Sequence, residues 1–134
     1  INAFCERTGQ EKPENDAQVI RLIFESLALR YRQVLEDLDR IATHPIERLH
    51  IIGGGSKNRL LNQLTANAIG RKVVAGPSEA TAIGNVMIQA MAAGVVSSLQ
   101  EMRSIIHASV ETEEFVPELV AEWEEAYQKF VTLK

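Results

Sequence analysis

The 134 residues carry 18 Asp and Glu against 14 Lys and Arg, a formal net charge of -4, and 46% of them are hydrophobic. That balance excludes the basic excess of a nucleic-acid-binding surface, and the single cysteine, Cys5, excludes an internal disulfide or a multi-cysteine zinc site. The apolar fraction suits one domain with its own core, burying roughly two-thirds of its unfolded surface, and no apolar run has the length that spans a bilayer.

The chain opens on Ile1 rather than Met, which reads as a fragment or a processed piece. No signal peptide stands there, which fits a cytoplasmic protein. Residues 1–8 read as a short helix with Ile1, Phe4 and Cys5 inward, closed by Thr8-Gly9. Cys5 is expected to be buried and inert. Residues 10–16 are polar, contain Pro13 and read as a loop.

Residues 17–41 carry the clearest helical period: Ile20, Phe24, Leu27, Tyr31, Val34, Leu38 and Ile41 recur every three or four positions and predict one inward face. Asn15 and Asp16 are N-cap candidates, Glu36 and Arg40 are spaced for an i,i+4 ion pair, and His44-Pro45 ends the helix. Arg48 to Ile52 is an apolar run ending in three glycines, a strand signal. Ser56 is expected to cap the next helix, which runs to about Ile69 with Leu60, Leu61, Leu64 and Ala68 inward and stops at Gly70.

Residues 71–75 form a second strand, closed by Gly76-Pro77. Ser78 is expected to cap a helix over 80–93, and Ser98 with Glu101 forms a capping box for another helix reaching about His107. Residues 110–116 are extended and acidic. Pro117 is placed in the first turn of a last helix with Leu119, Trp123, Tyr127 and Phe130 in its core face. Alternating strands and helices argue an α/β layer architecture. Two firm strands are few for a self-sufficient sheet, so strands are expected to be missing from this piece.

The chemistry concentrates in Ile51-Ile52-Gly53-Gly54-Gly55-Ser56-Lys57-Asn58, a strand, a triple glycine and a helix start. Glycines let a ligand press against the backbone. A helix start offers free N–H groups and partial positive charge to phosphate. Ser56 and Asn58 can hydrogen-bond a purine, ribose or phosphate edge. A tight strand-to-helix turn with no ligand explains the same residues equally well, because such turns abound in α/β folds. A Walker loop fits poorly, since Lys57 follows Ser56 instead of Gly. A dinucleotide fingerprint fits poorly, since Asn58 stands where a third glycine or alanine belongs.

In Gly76 to Asn85, small residues at 80, 82 and 84 read as tight packing against a neighbouring layer rather than as ligand contact. His44, His50 and His107 are widely spaced and lack metal-ligand spacing. Glu122, Glu124 and Glu125 read as a solvated helix face. No residue makes a persuasive catalytic base.

Three stretches together resemble the C-terminal domain of the FGGY family of carbohydrate kinases. They are Phe4-Cys5 with Thr8-Gly9-Gln10 and the run Glu25 to Arg32; His50 to Leu64; and Ala75 to Asn85. Within that family, Leu61-Asn62-Gln63-Leu64 and Ala75 to Asn85 resemble the branch that phosphorylates the ketose L-rhamnulose. The resemblance implies an α/β fold, part of an actin-like (ribonuclease H-like) ATPase lobe, helix-rich with few strands. Residues 1–134 would be the C-terminal nucleotide-binding lobe.

It further implies ATP and Mg2+ as cofactors. Gly54 would contact the adenine nucleotide and Asn58 the base, with Gly53, Gly55 and Ser56 completing the cofactor-binding set. The catalytic Asp, the magnesium contacts and most sugar contacts would lie outside this chain. ATP or ADP and a ketose are then the expected partners, with no nucleic acid and no membrane. A half-complete lobe would expose an apolar face and a sheet edge, so the chain is expected to self-associate. A kinase for another ketose, such as xylulose or fuculose, and a non-catalytic nucleotide-binding module are the alternative readings.

Overall fold

A computed structural model describes residues 1–133. The elements follow the order α1 (Asn2–Arg7), α2 (Asp16–Ile41), β1 (Arg48–Ile51), a 3-10 turn (Gly54–Lys57), α3 (Arg59–Ile69), β2 (Lys72–Ala75), α4 (Ala80–Ala92), α5 (Leu99–Ser109), β3 (Glu113–Phe115) and α6 (Val120–Thr132). The sheet order is β1-β2-β3. β1 and β2 run parallel, from Arg48 opposite Lys72 to Ile51 opposite Ala75, with α3 as their crossover. β3 is antiparallel to β2, pairing Phe115 with Val73. The acidic 110–116 stretch thus supplies the third strand that the α/β reading lacked.

α3 is the centre of the packing. Asn62 and every residue from Leu64 to Ile69 are buried. On one side, Leu64 and Ala68 join Ala28 and Leu29 of α2 and Trp123 and Tyr127 of α6, with Phe24 and Phe130 against them. On the other side, Ala66 and Ile69 join Leu35 of α2 and the sheet residues Val73, Ala75 and Phe115. Arg32 ties these layers together. Its guanidinium lies 3.9 Å from the centroid of the Tyr127 ring. It pairs with Glu36 at 3.0 Å and Glu124 at 2.5 Å, while Tyr127 Oη donates to Glu36 at 2.6 Å. Arg71 and Asp39 form a two-pronged ion pair behind it, and the Arg71 hydrogen bond holds the Asp39 carboxyl below its ordinary range.

Several local expectations are corrected. In α1 only Cys5 is buried, while Ile1 and Phe4 face solvent, because a helix of six residues buries one position against its neighbour. In α2 the buried residues are Ala28, Leu29 and Leu35, the flank that meets α3. The regular stripe of Ile20, Leu27, Tyr31, Val34, Leu38 and Ile41 is exposed, reaching 79% at Ile41. The apolar arc of α2 is wider than one neighbouring layer covers.

The Glu36–Arg40 pair does not form. Arg40 reaches Asp37, and Glu36 is taken by Arg32 and Tyr127. Leu60 is exposed, because the buried face of α3 begins at Asn62. Glu79, without a side-chain bond, replaces Ser78 as the residue preceding α4.

The last helix starts at Val120, after Leu119 in a left-handed conformation, and Leu119 faces solvent. Pro117 stays outside the helix because the chain on either side of it is bonded to α3. Gln63 Nε2 donates to Val116 O at 2.8 Å, and Glu118 N donates to Asn67 Oδ1 at 2.9 Å. The Ser98 cap forms as expected, accepting from Glu101 N, but Glu101 bonds back to Ser97 instead of Ser98. The small residues of α4 do not pack as expected: Ala82 is exposed, and a Cβ on Gly84 would meet nothing within 4 Å. None of the helices described is long and apolar enough to cross a membrane.

Candidate functional site

Parallel strands β1 and β2 end side by side, and each is followed by a glycine turn. In open α/β sheets, the carboxyl ends of parallel strands are where ligands gather. Two backbone bonds join the turns: Gly76 N donates to Ile51 O at 2.8 Å, and Gly53 N donates to Pro77 O at 3.0 Å. Both turns need glycine. Gly53 has φ 77° and Gly76 has φ 113°, where a side chain is strained. A Cβ on Gly76 would also stand 3.1 Å from Glu111 O.

The first turn is open above its backbone. A Cβ built on Gly53 or Gly54 would meet nothing within 4 Å, and one on Gly55 would reach only Ile51 Cγ2 at 4.0 Å. The N–H groups of Gly54 and Gly55 take no backbone acceptor among the described residues. The arrangement can receive a flat or anionic group against bare backbone.

The capping role expected of Ser56 falls to Asn58. Gly54 to Lys57 form a 3-10 turn, so the helix proper begins at Arg59, three residues after Ser56. Ser56 Oγ turns inward and donates to Gly53 O at 2.7 Å. Asn58 is the true N-cap of α3, its Oδ1 accepting from Leu61 N at 3.1 Å. Its Nδ2 has no partner among the described residues. The cap therefore uses one end of the amide and leaves a donor at the other.

The five residues read from the sequence, Gly53, Gly54, Gly55, Ser56 and Asn58, thus stand in one continuous turn. Sequence reasoning missed the second turn as its partner, because nothing in a linear sequence relates Gly76 to Ile51. It also missed Asn62, wholly buried, whose Nδ2 donates to Ser56 O at 2.8 Å. A polar residue inside the apolar face of α3 was the available signal. Beside the turn, an apolar groove of about 570 Å3 runs between α2 and β1, lined by Tyr31, Val34, Leu38, Leu49, Ile51 and Asn62 among others.

The local basic residues are largely neutralised. Arg59 pairs with Glu113, Arg71 with Asp39 and Lys72 with Glu114. No group of three or more His, Cys, Asp or Glu stands together among the described residues. The turn itself offers bare backbone rather than a cluster of charged side chains.

An open glycine turn thus stands at the ends of two parallel strands crossed over by a buried helix. Residues 1–93 match the C-terminal domain of the FGGY family of carbohydrate kinases, and the chain belongs to that family. It is 58% identical to the rhamnulokinase of Bacteroides thetaiotaomicron over 130 residues, which are 97% of this chain and 27% of that protein. It is 45% identical to the rhamnulokinase of Klebsiella pneumoniae subsp. pneumoniae over 117 residues, which are 87% of this chain and 24% of that protein. The chain thus spans about a quarter of the length of these curated relatives. Its fold is also similar to the crystal structure of xylulose kinase from Rhodospirillum rubrum, with a TM-score of 0.70 and 25% identity over 93% of this chain and 25% of that one.

Proposed function

We propose that this chain is the C-terminal ATP-binding lobe of an ATP-dependent ketose kinase, and that the complete enzyme phosphorylates L-rhamnulose to L-rhamnulose 1-phosphate. The open backbone of Gly53 to Gly55, at the ends of two parallel strands in a chain of this family, carries the reading. Gly54 lies against the adenine nucleotide, and the spare amide of Asn58 donates to its base. Gly53, Gly55 and Ser56 shape the wall. Phosphoryl transfer is then a matter of positioning and charge neutralisation, and the bound Mg2+ supplies the charge. Carboxylates outside this chain would hold it. Such an enzyme works in the cytoplasm.

The identity to two rhamnulokinases favours rhamnulose as the sugar. The likeness to a xylulose kinase keeps xylulose as the second reading. Turnover of the complete enzyme on rhamnulose, xylulose and fuculose decides between them: the highest kcat/KM is expected for rhamnulose, and a preference for either other sugar refutes the assignment. The 134-residue chain alone is expected to release no ADP in a sugar-dependent manner, since it carries no candidate base.

The exposed stripe on α2 and the free edge of β1 support self-association of the isolated chain. Sedimentation at micromolar concentration should show species larger than a monomer, and Val34→Glu with Leu38→Glu should restore the monomer. A monomeric parent chain would refute this.

A further inference from the structure

Among the described residues, one buried side-chain atom lacks a hydrogen-bond partner: Oδ1 of Asn62, on a residue that is 0% exposed. A buried unpaired oxygen is a standing cost, and an apolar side chain of similar size would avoid it beside Leu61 and Leu64. The other end of the amide accounts for the residue. Asn62 Nδ2 donates to Ser56 O at 2.8 Å, in the middle of the turn that follows β1. The orientation is unambiguous, because a carbonyl oxygen can only accept, so Nδ2 must face it.

Three consecutive glycines make that turn the least self-determined stretch of the chain. Most of its remaining bonds are local: Ser56 Oγ and N to Gly53 O, and Asn58 N to Gly55 O. Besides the helix-start bonds that Asn58 accepts from Leu61 N and Asn62 N, two holds reach it from elsewhere. Pro77 O takes the Gly53 N–H at its start, and Asn62 holds the Ser56 carbonyl near its end.

We propose that Asn62 is a positioning residue for the nucleotide: without touching it, Asn62 fixes the Gly53–Asn58 turn in the shape that binds. The proposal rests on the nucleotide reading of that turn given above.

The test uses Asn62→Leu and Asn62→Ala in the complete kinase, with ADP binding followed by calorimetry, steady-state kinetics and amide hydrogen exchange. ADP affinity should fall about tenfold, the equivalent of one lost hydrogen bond, with KM for ATP rising in parallel. At saturating ATP, kcat and the sugar KM should stay near the parent's. Exchange at Ser56 and Asn58, whose N–H groups bond within the turn, should accelerate while Thr65 to Ile69 keep their protection, a pattern that general destabilisation would not produce.

Parent-like ADP affinity in a folded Asn62→Leu enzyme overturns the proposal. So does failure of both variants to fold, since Asn62 would then be a determinant of the fold. Gly54→Val, which fills the open space above the turn, separates the two ideas. If it too leaves ADP affinity unchanged, the nucleotide reading itself is wrong; if it abolishes binding while the Asn62 variants do not, only the role of Asn62 is.

Discussion

Asn58 caps α3 with one end of its amide and, in the function proposed above, donates to the nucleotide with the other, and a pair of substitutions separates the two tasks. Oδ1 caps α3 through Leu61 N, while Nδ2 is free for the nucleotide. Asn58→Ala removes both. Loss of the cap should cost about 1 kcal/mol of stability, a fall in Tm of roughly 4 °C for a domain of this size. Loss of the donor should weaken ATP binding by about 1–2 kcal/mol, or about 5- to 30-fold in Kd. Asn58→Asp keeps a capping oxygen and adds a negative charge favourable to the start of α3, so its Tm should match or exceed the parent's. It lacks the donor and repels a polyphosphate, so its nucleotide affinity should fall at least as far as that of Asn58→Ala. Thermal unfolding and ATP KM, measured on the same preparations of the complete enzyme, test the two halves separately. An Asn58→Asp enzyme that binds ATP like the parent would remove the free amide from the site. One that melts like Asn58→Ala would refute the cap.

Gly76→Ala should destabilise the fold by about 2 kcal/mol, combining a strained φ with a close approach to Glu111 O; a chemical denaturation midpoint equal to the parent's would contradict this. Burial first, and then the hydrogen bond to Glu36, push the Tyr127 hydroxyl from 10.0 up to about 12. A raised folded pKa means that this contribution is complete below pH 10 and is lost as pH rises through 12. Stability curves should therefore fall across that interval in the parent and be flatter in Tyr127→Phe, which should lose about 1 kcal/mol at neutral pH; parallel curves would refute the coupling. Cys5, buried at the base of α1, should react with a thiol reagent much more slowly in the folded chain than in denaturant, and equal rates would place it at the surface.

The helices were legible because their period and punctuation are local. α2, α3, α4 and α5 fall close to the spans that their apolar spacing and bounding residues indicate. What escaped the sequence depends on partners far along the chain. The β3 strand is acidic and short; Phe115 anchors it in the core, while Lys72 and Arg59 pair with Glu114 and Glu113. The delayed start of α6 follows from bonds between Gln63, Asn67 and residues 116–118. The α2 stripe has a regular period, but periodicity reports that a face is apolar without reporting what covers it. At the site, the Gly53 to Asn58 run was visible as a composition, yet the transfer of the cap from Ser56 to Asn58 was not. Both are good capping residues, and only the 3-10 turn between them decides which one serves.

The two bonds between the glycine turns make them a single mechanical unit. Each turn lends the other a carbonyl, Ile51 O in one direction and Pro77 O in the other. An insertion or deletion in either one would therefore misplace both. Anyone grafting the triple-glycine segment onto another scaffold would have to carry the second strand and its turn with it, although no residue of that second turn was read as touching a ligand.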